Sequence, residues 1–305
     1  MRYVWILLLV LVGGFRADNA FGSVNDDISE AIEQKFARIG PHPVGMEQYS
    51  VEDEQLKSFT VCFPAEIAQS NRLWPVVVYC NGTGMPVMRV LGLLEHLASW
   101  GFIAIGSEET MSGSGRGAIA ALKFLLQQNE LEKSIFYRKI AIDRIGIAGH
   151  SQGGAGAFNA VSRYPEGNSF KALFAVSPIN QKLAASGIMR CAYDPTLLKL
   201  PVMLTASSAL TGWDADSLLP GICGLRSMQN TADLIRQNSP VIVVIARLAG
   251  VDKNHANALT ASLPYMTAWF ACHLQGDQAA GKFFLGDNPE IERNLRWKNV
   301  AIKKP

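Results

Sequence analysis

The sequence predicts an α/β fold, with a mostly parallel central sheet flanked by helices, and three observations carry that prediction. Short β-branched runs alternate with amphipathic stretches over most of the chain. The strongest run, Pro75 to Cys80 (PVVVYC), is apolar throughout, as a strand covered on both faces must be. A glycine-flanked serine, Gly149 to Gly154 (GHSQGG), sits where another such run gives way to a helical stretch. Strands that return through crossover helices lie parallel, with right-handed connections.

Taken in order, a helical segment runs from Asp26 to Ile39, and Gly40-Pro41-His42-Pro43 breaks it. Two candidate strands follow near Tyr49–Val51 and Ser58–Phe63. After the buried strand Pro75–Cys80, Val87 to Trp100 repeats apolar residues at helical spacing, and Phe102–Ile105 is the next strand. Gly117 to Gln128 reads as a helix, Ile145–Ala148 as a strand, and Ala155–Arg163 as the helix after the serine. Ala172–Val176, Pro201–Thr205 and Val241–Ile245 read as strands, with a helix over Arg226–Arg236 between the last two. A final helix is expected from Leu263 to Leu274.

Composition narrows the function classes. The 305 residues are 49% hydrophobic and 18% charged, enough for a large core, and the formal net charge is only +2. No Lys/Arg face with interleaved aromatics occurs, so the chain is not read as a nucleic-acid binder. Residues 1–22 read as an export signal: Arg2, an apolar stretch from Val4 to Val12, then small residues around Ala20 and Gly22 before Ser23. The apolar stretch is too short to span a bilayer, so no stable membrane span is expected after cleavage. Residues 23–305 are then one domain, in a secreted or periplasmic protein. Export permits disulfides. Five cysteines leave at least one unpaired, and Cys191 with Cys223 is the expected pair. No C-x-x-C pair occurs, so no metal is expected.

The motif at Ser151 carries the chemistry. A hydroxyl is a weak nucleophile until a base takes its proton, and a strand–turn–helix elbow G-x-S-x-G holds it clear of the sheet. The pentapeptide alone is a weak signal, so its context must support it. Among the histidines, His42 lies between prolines, His96 and His273 lie in helices, and His150 points away as the serine's neighbour. His255 alone follows a strong strand in a polar loop, where a general base is expected. The acid should follow the preceding strand, where Asp214 and Asp216 both occur. The order Ser, Asp, His is that of the α/β-hydrolase fold. An oxyanion hole is expected from the N–H groups of Gln152 and Thr83, the latter in the loop Asn81-Gly82-Thr83-Gly84. Asn81-Gly82-Thr83 is also a glycosylation sequon, which a sugar at the site would make self-defeating. Ser112 to Gly117 (SGSGRG) lacks the lysine of a phosphate loop and reads as a substrate-side loop.

On these residues the chain resembles lidless, secreted α/β-hydrolases of the cutinase-like group. That group includes polyester (PET) hydrolases, with chlorophyllases and dienelactone-hydrolase-like esterases as cousins. The pieces are Val76–Gly82 (VVVYCNG), Leu97–Phe102 (LASWGF), Gly149–Gly154, Asp216–Pro220 (DSLLP), the His255-Ala256-Asn257 turn and Trp269-Phe270. The resemblance implies ester hydrolysis through an acyl-serine intermediate, with no cofactor, on a small-molecule or lipid-like ester. It also implies Asp216 as the acid, because the group's acid precedes a Ser–apolar–apolar–Pro stretch. Thr83 and Ile179 stand where polyester hydrolases carry ring-clamping aromatics, Asn81 stands where many relatives have histidine, and Ser151 replaces the cysteine of dienelactone hydrolases proper. Only Pro178 to Lys199 separates two late strands, room for a flap but not a full lid domain. An open site for small to medium acyl esters is therefore expected, with Trp213 and Met85 lining it. A serine acyltransferase would use the same residues, and a non-catalytic hydrolase-like binding protein would keep the scaffold.

Overall fold

The computed structural model describes residues 28–216, 222–250 and 254–305. The export signal expected over residues 1–22 lies outside them, as do residues 217–221 and 251–253. Among the described residues one nine-stranded sheet forms, in the order β1-β2-β4-β3-β5-β6-β7-β8-β9. Its strands are β1 (Val44–Ser50), β2 (Ser58–Pro64), β3 (Trp74–Cys80), β4 (Ile103–Ser107), β5 (Ile140–His150), β6 (Phe170–Val176), β7 (Val202–Ser207), β8 (Val243–Leu248) and β9 (Trp297–Lys303). β3 to β8 are mutually parallel, whereas β1, β2 and β9 run antiparallel to their neighbours. This is the expected α/β-hydrolase architecture.

Period-2 alternation sorts the apolar strands onto two cores. Val76, Val78, Ile145, Ile147, Leu204 and Ile245 face one; Val77, Tyr79, Ala148, Met203, Val244 and Ala246 face the other. α3 (Arg116–Glu130), α4 (Gln152–Arg163) and α6 (Leu225–Asn238) cover the first face through Leu122, Phe158 and Ile235. α1 (Ile28–Ala37), α2 (Leu91–Ser99) and α7 (His255–Phe270) cover the second through Phe36, Leu94 and Trp269. Between β6 and β7 lie only α5 (Gln181–Ala184) and a single 3-10 turn, so no lid domain is built there. α8 (Gln278–Gly281) and α9 (Glu290–Arg293) are single turns before the last strand. Among the described residues no helix is long and apolar enough to cross a membrane.

Three expectations change. α7 begins at His255 and not at Leu263, because the Asn254 side chain caps it by accepting from the N–H of Asn257 at 3.0 Å. Pro264 sits inside that helix, and as a helix breaker it hid the first two turns from a pattern reading. β9 was not anticipated: WKNVAIK carries too much charge to read as a strand, yet it needs only one partner at the sheet edge. Cys191 and Cys223 are not bonded to each other; all five thiols are free, and both of these are buried.

Candidate active site

β5 delivers Ser151 to the carboxyl end of the sheet, where open α/β sheets hold their ligands. Ser151 adopts φ 57°, ψ −120°, a conformation that costs a non-glycine residue about 1–3 kcal/mol. Its N–H donates to the carbonyl of Val176 at 2.9 Å, and its own carbonyl accepts from Gly154 at 3.0 Å. The flanking glycines are steric necessities. A Cβ on Gly149 would lie 2.1 Å from the Gly153 carbonyl oxygen, and one on Gly153 would lie 2.1 Å from that of Cys80. No L side chain fits at either position without moving backbone.

The loop after β3 lies against the elbow: a Cβ on Gly82 would sit 3.7 Å from the Cβ of Ser151. Asn81 pins this loop from below. Its amide donates to the carbonyls of Ser107 at 2.6 Å and Glu109 at 2.7 Å, while the Ser112 hydroxyl donates to the Asn81 carbonyl at 2.5 Å. Asn81 is 1% exposed, so its side chain is a staple with no room for a sugar. The N–H of Gly84 donates to the carbonyl of Thr110 at 2.8 Å and closes the turn, leaving Thr83 half-buried at its tip. Gln152 opens α4, so its N–H has no partner within the helix, and its side chain reaches the sulfur of Met189 at 3.5 Å.

His255 Nδ1–H donates to Asp214 Oδ1 at 2.7 Å. The acid beside the imidazole is therefore Asp214, and the expectation of Asp216 is corrected. Asp214 is fully buried, and its Oδ2 also accepts from the N–H of Ser207 at 2.7 Å and the hydroxyl of Ser177 at 2.8 Å. Burial alone would raise its pKa; the bond and charge of His255, with the two further donors, bring it below the usual carboxylate value. Asp216 turns the other way. Its Oδ2 accepts from Arg247 Nη1 at 3.0 Å, while Arg247 also donates to the carbonyls of Ser207 at 2.9 Å and Asp214 at 3.2 Å. A guanidinium 9% exposed needs a carboxylate, and Asp216 is that carboxylate. The two aspartates thus divide between an imidazole and a guanidinium.

His150 lies between Ser151 and His255. Its ring centroid is 4.7 Å from that of His255, with the planes tilted by 40°, and its Nε2–H donates to the His255 carbonyl at 3.0 Å. Burial, then the neighbouring His255, pushes its pKa down to about 3, so it stays neutral. The other histidines are held elsewhere: His42 by Glu66, His96 by the carbonyl of Phe36 at 2.9 Å, and half-buried His273 against Trp269. Trp213 lies 6.3 Å from the His255 ring and is 43% exposed, as a lining residue would be. Ile179 is buried.

Ser177, Ser207 and Arg247 were not anticipated from sequence. Serines ending two apolar strands are an audible signal, and an arginine inside the strand VVIARL is a louder one. Residues 34–198 match the family model described as PET hydrolase-like, over half of the chain. The match includes Asn81 to Met85 and Ser151 and stops before Asp214 and His255. No curated protein matches the chain.

Proposed function

The chain belongs to the PET hydrolase-like family, and on that premise we propose that it is an exported serine ester hydrolase acting through an acyl-serine intermediate. The observation that carries this reading is the 2.7 Å bond from a histidine at the start of α7 to a buried aspartate, that histidine lying 4.7 Å, ring to ring, from His150, the residue before the strained Ser151. Ser151 Oγ attacks the ester carbonyl while His255 Nε2 takes its proton. Asp214 accepts from Nδ1–H, which fixes the tautomer with Nε2 free and stabilises the imidazolium that forms. The oxyanion receives the N–H groups of Gln152 and Thr83, a donor of this kind being worth about 2.7–4 kcal/mol. The C–O bond to the leaving alcohol then breaks, with the proton on His255 passing to that alcohol. Water repeats the sequence on the acyl-serine and releases the acid.

Asp216 serves as the counter-charge of Arg247 and leaves the proton transfers to the other three residues. No metal or cofactor enters any step. The substrate is a small to medium acyl ester. An open site supports this, since α5 and its turn form no cap, and so does the lack of ring-clamping aromatics at Thr83 and Ile179. Residues 1–22 are removed on export, and residues 23–305 act as one catalytic domain in a secreted or periplasmic protein.

The test is hydrolysis of p-nitrophenyl acetate, butyrate and octanoate by wild type, Ser151→Ala and His255→Ala. Collapse of kcat by roughly 10^6-fold in both folded variants is expected. Equal rates in wild type and variants would refute the assignment.

A further inference from the structure

We propose that Cys223, Asp214 and His255 form a binding site for a soft divalent cation such as Zn2+ or Cd2+, and that occupancy switches the acid–base pair off. The thiol sulfur, a carboxylate oxygen and a ring nitrogen lie within 4.8 Å of one another. They come from three segments: the turn after β7, the residue before the N-cap of α6, and the first residue of α7. No spacing motif in the sequence could announce such a site. The N–H of Cys223 donates to the Trp213 carbonyl at 3.0 Å, which seats the thiol beside the turn carrying Asp214.

Charge favours a dication there. Burial, then the charge of Asp214, pushes the Cys223 thiol well up, so without a metal it is a neutral hydrophobe. A coordinated thiol is deprotonated by the cation itself. Thiolate, carboxylate and neutral imidazole around a +2 ion sum to zero, the condition under which buried charges are tolerated. Sulfur and nitrogen ligands select Zn2+ or Cd2+ over Mg2+ and Ca2+.

The geometry explains inhibition. Zinc bonds of about 2.0–2.3 Å set ligand atoms roughly 3.3–3.8 Å apart in a tetrahedron. The thiol therefore moves inward, and the 2.7 Å Asp214–His255 bond opens. The cation takes the Nδ1 lone pair, the Nδ1 proton passes to Nε2, and the thiol proton goes to water. With Nε2 protonated, His255 cannot accept the proton of Ser151. The inhibition rests on the proposed hydrolase mechanism; the cation site does not.

Titration of the folded, full enzyme with cadmium chloride tests both parts. The readouts are the ultraviolet charge-transfer band of a cadmium–thiolate bond and p-nitrophenyl butyrate hydrolysis in the same samples. Wild type is expected to develop the band at one equivalent and lose activity in step, with recovery on chelation. Cys223→Ser and Cys223→Ala are expected to keep basal hydrolysis and thermal midpoint, lose the band, and need about tenfold or more cadmium for half inhibition. Cys272→Ser, at the most exposed thiol, should behave as wild type. A wild type without the band, or a band and inhibition that persist in the Cys223 variants, overturns the site. A band without inhibition overturns the switch. If wild type hydrolyses no ester, the hydrolase mechanism fails while the band still decides the cation site.

Discussion

One helix, α7, meets a buried carboxylate at its first residue and another through Tyr265, and the two carboxylates are treated in opposite ways. At its start, Asp214 accepts from His255, Ser207 and Ser177 and is held below the ordinary carboxylate pKa. Further along, Glu290 accepts from the Tyr265 hydroxyl and the Asn294 amide, both donors neutral, at 2.7 and 2.8 Å. Burial is the largest influence on Glu290; the charge of Glu33 adds to it, and its pKa is raised to about 7. The same Asn294 amide also donates to Glu33 at 2.7 Å, so one side chain serves two acids. Burial raises the pKa at both sites. The charge of the neighbour decides the outcome: an imidazole that can become cationic, or a second carboxylate.

Exchanging carboxylates for amides is the strongest way to break this comparison. Asp214→Asn should lower kcat about 10^4-fold with little change in KM, because the amide favours the wrong tautomer of His255. Asp216→Asn should cost no more than about tenfold, since it touches only Arg247 among charged partners. A larger loss in Asp216→Asn than in Asp214→Asn would reverse the assignment of the acid.

Arg247→Met removes the donors to the carbonyls of Ser207 and Asp214 and strands Asp216. A loss of roughly 2–4 kcal/mol in chemical unfolding is expected. The double variant Asp216→Asn/Arg247→Met should recover part of it. Full additivity would show that the pair is not coupled.

Farther along α7, the folded pKa of Glu290 lies above the ordinary carboxylate value of about 4.5. Its stabilising contribution is therefore complete below about 4.5 and lost as pH rises through about 7. Glu290→Gln should match wild type near the lower value and exceed it above the higher one, by about 1–2 kcal/mol in unfolding free energy. A variant less stable than wild type on the alkaline side would contradict the raised pKa. The smallest effect is expected for Tyr265→Phe. Removing one of the two donors to Glu290 should cost about 1 kcal/mol, more in alkaline than in acid buffer.

The parallel strands and the elbow were readable because buried strands must be apolar and the turn around Ser151 admits no Cβ at Gly149 or Gly153. His255, the histidine that meets a buried aspartate, was singled out by elimination among five histidines. The aspartate bonded to His255 was misread through a local motif, since DSLLP directs attention to Asp216. The counter-signal lay 31 positions on, in Arg247: a cation within a buried strand demands one carboxylate, leaving only one of the pair for His255. Such a demand is non-local and appears only once β7 and β8 are laid side by side. The missed start of α7 had a local cause, as Pro264 outweighed the Asn254 cap in a pattern reading.

The antiparallel edge strand β9 has a consequence for assembly. It pairs Trp297 with Leu248 and Lys298 with Arg247, and the N–H of Ala249 donates to the Arg296 carbonyl at 2.7 Å. The strand that feeds the loop toward His255 is thus laced on its outer side by residues about 50 positions downstream. During synthesis Ser151 emerges long before that lacing strand, so the outer edge of β8 stays unpaired until residues 297–303 have docked. Long-range pairing of this kind is slow to form. The edge of the sheet that carries Arg247 and leads toward His255 is therefore closed by the last of the described strands to be made.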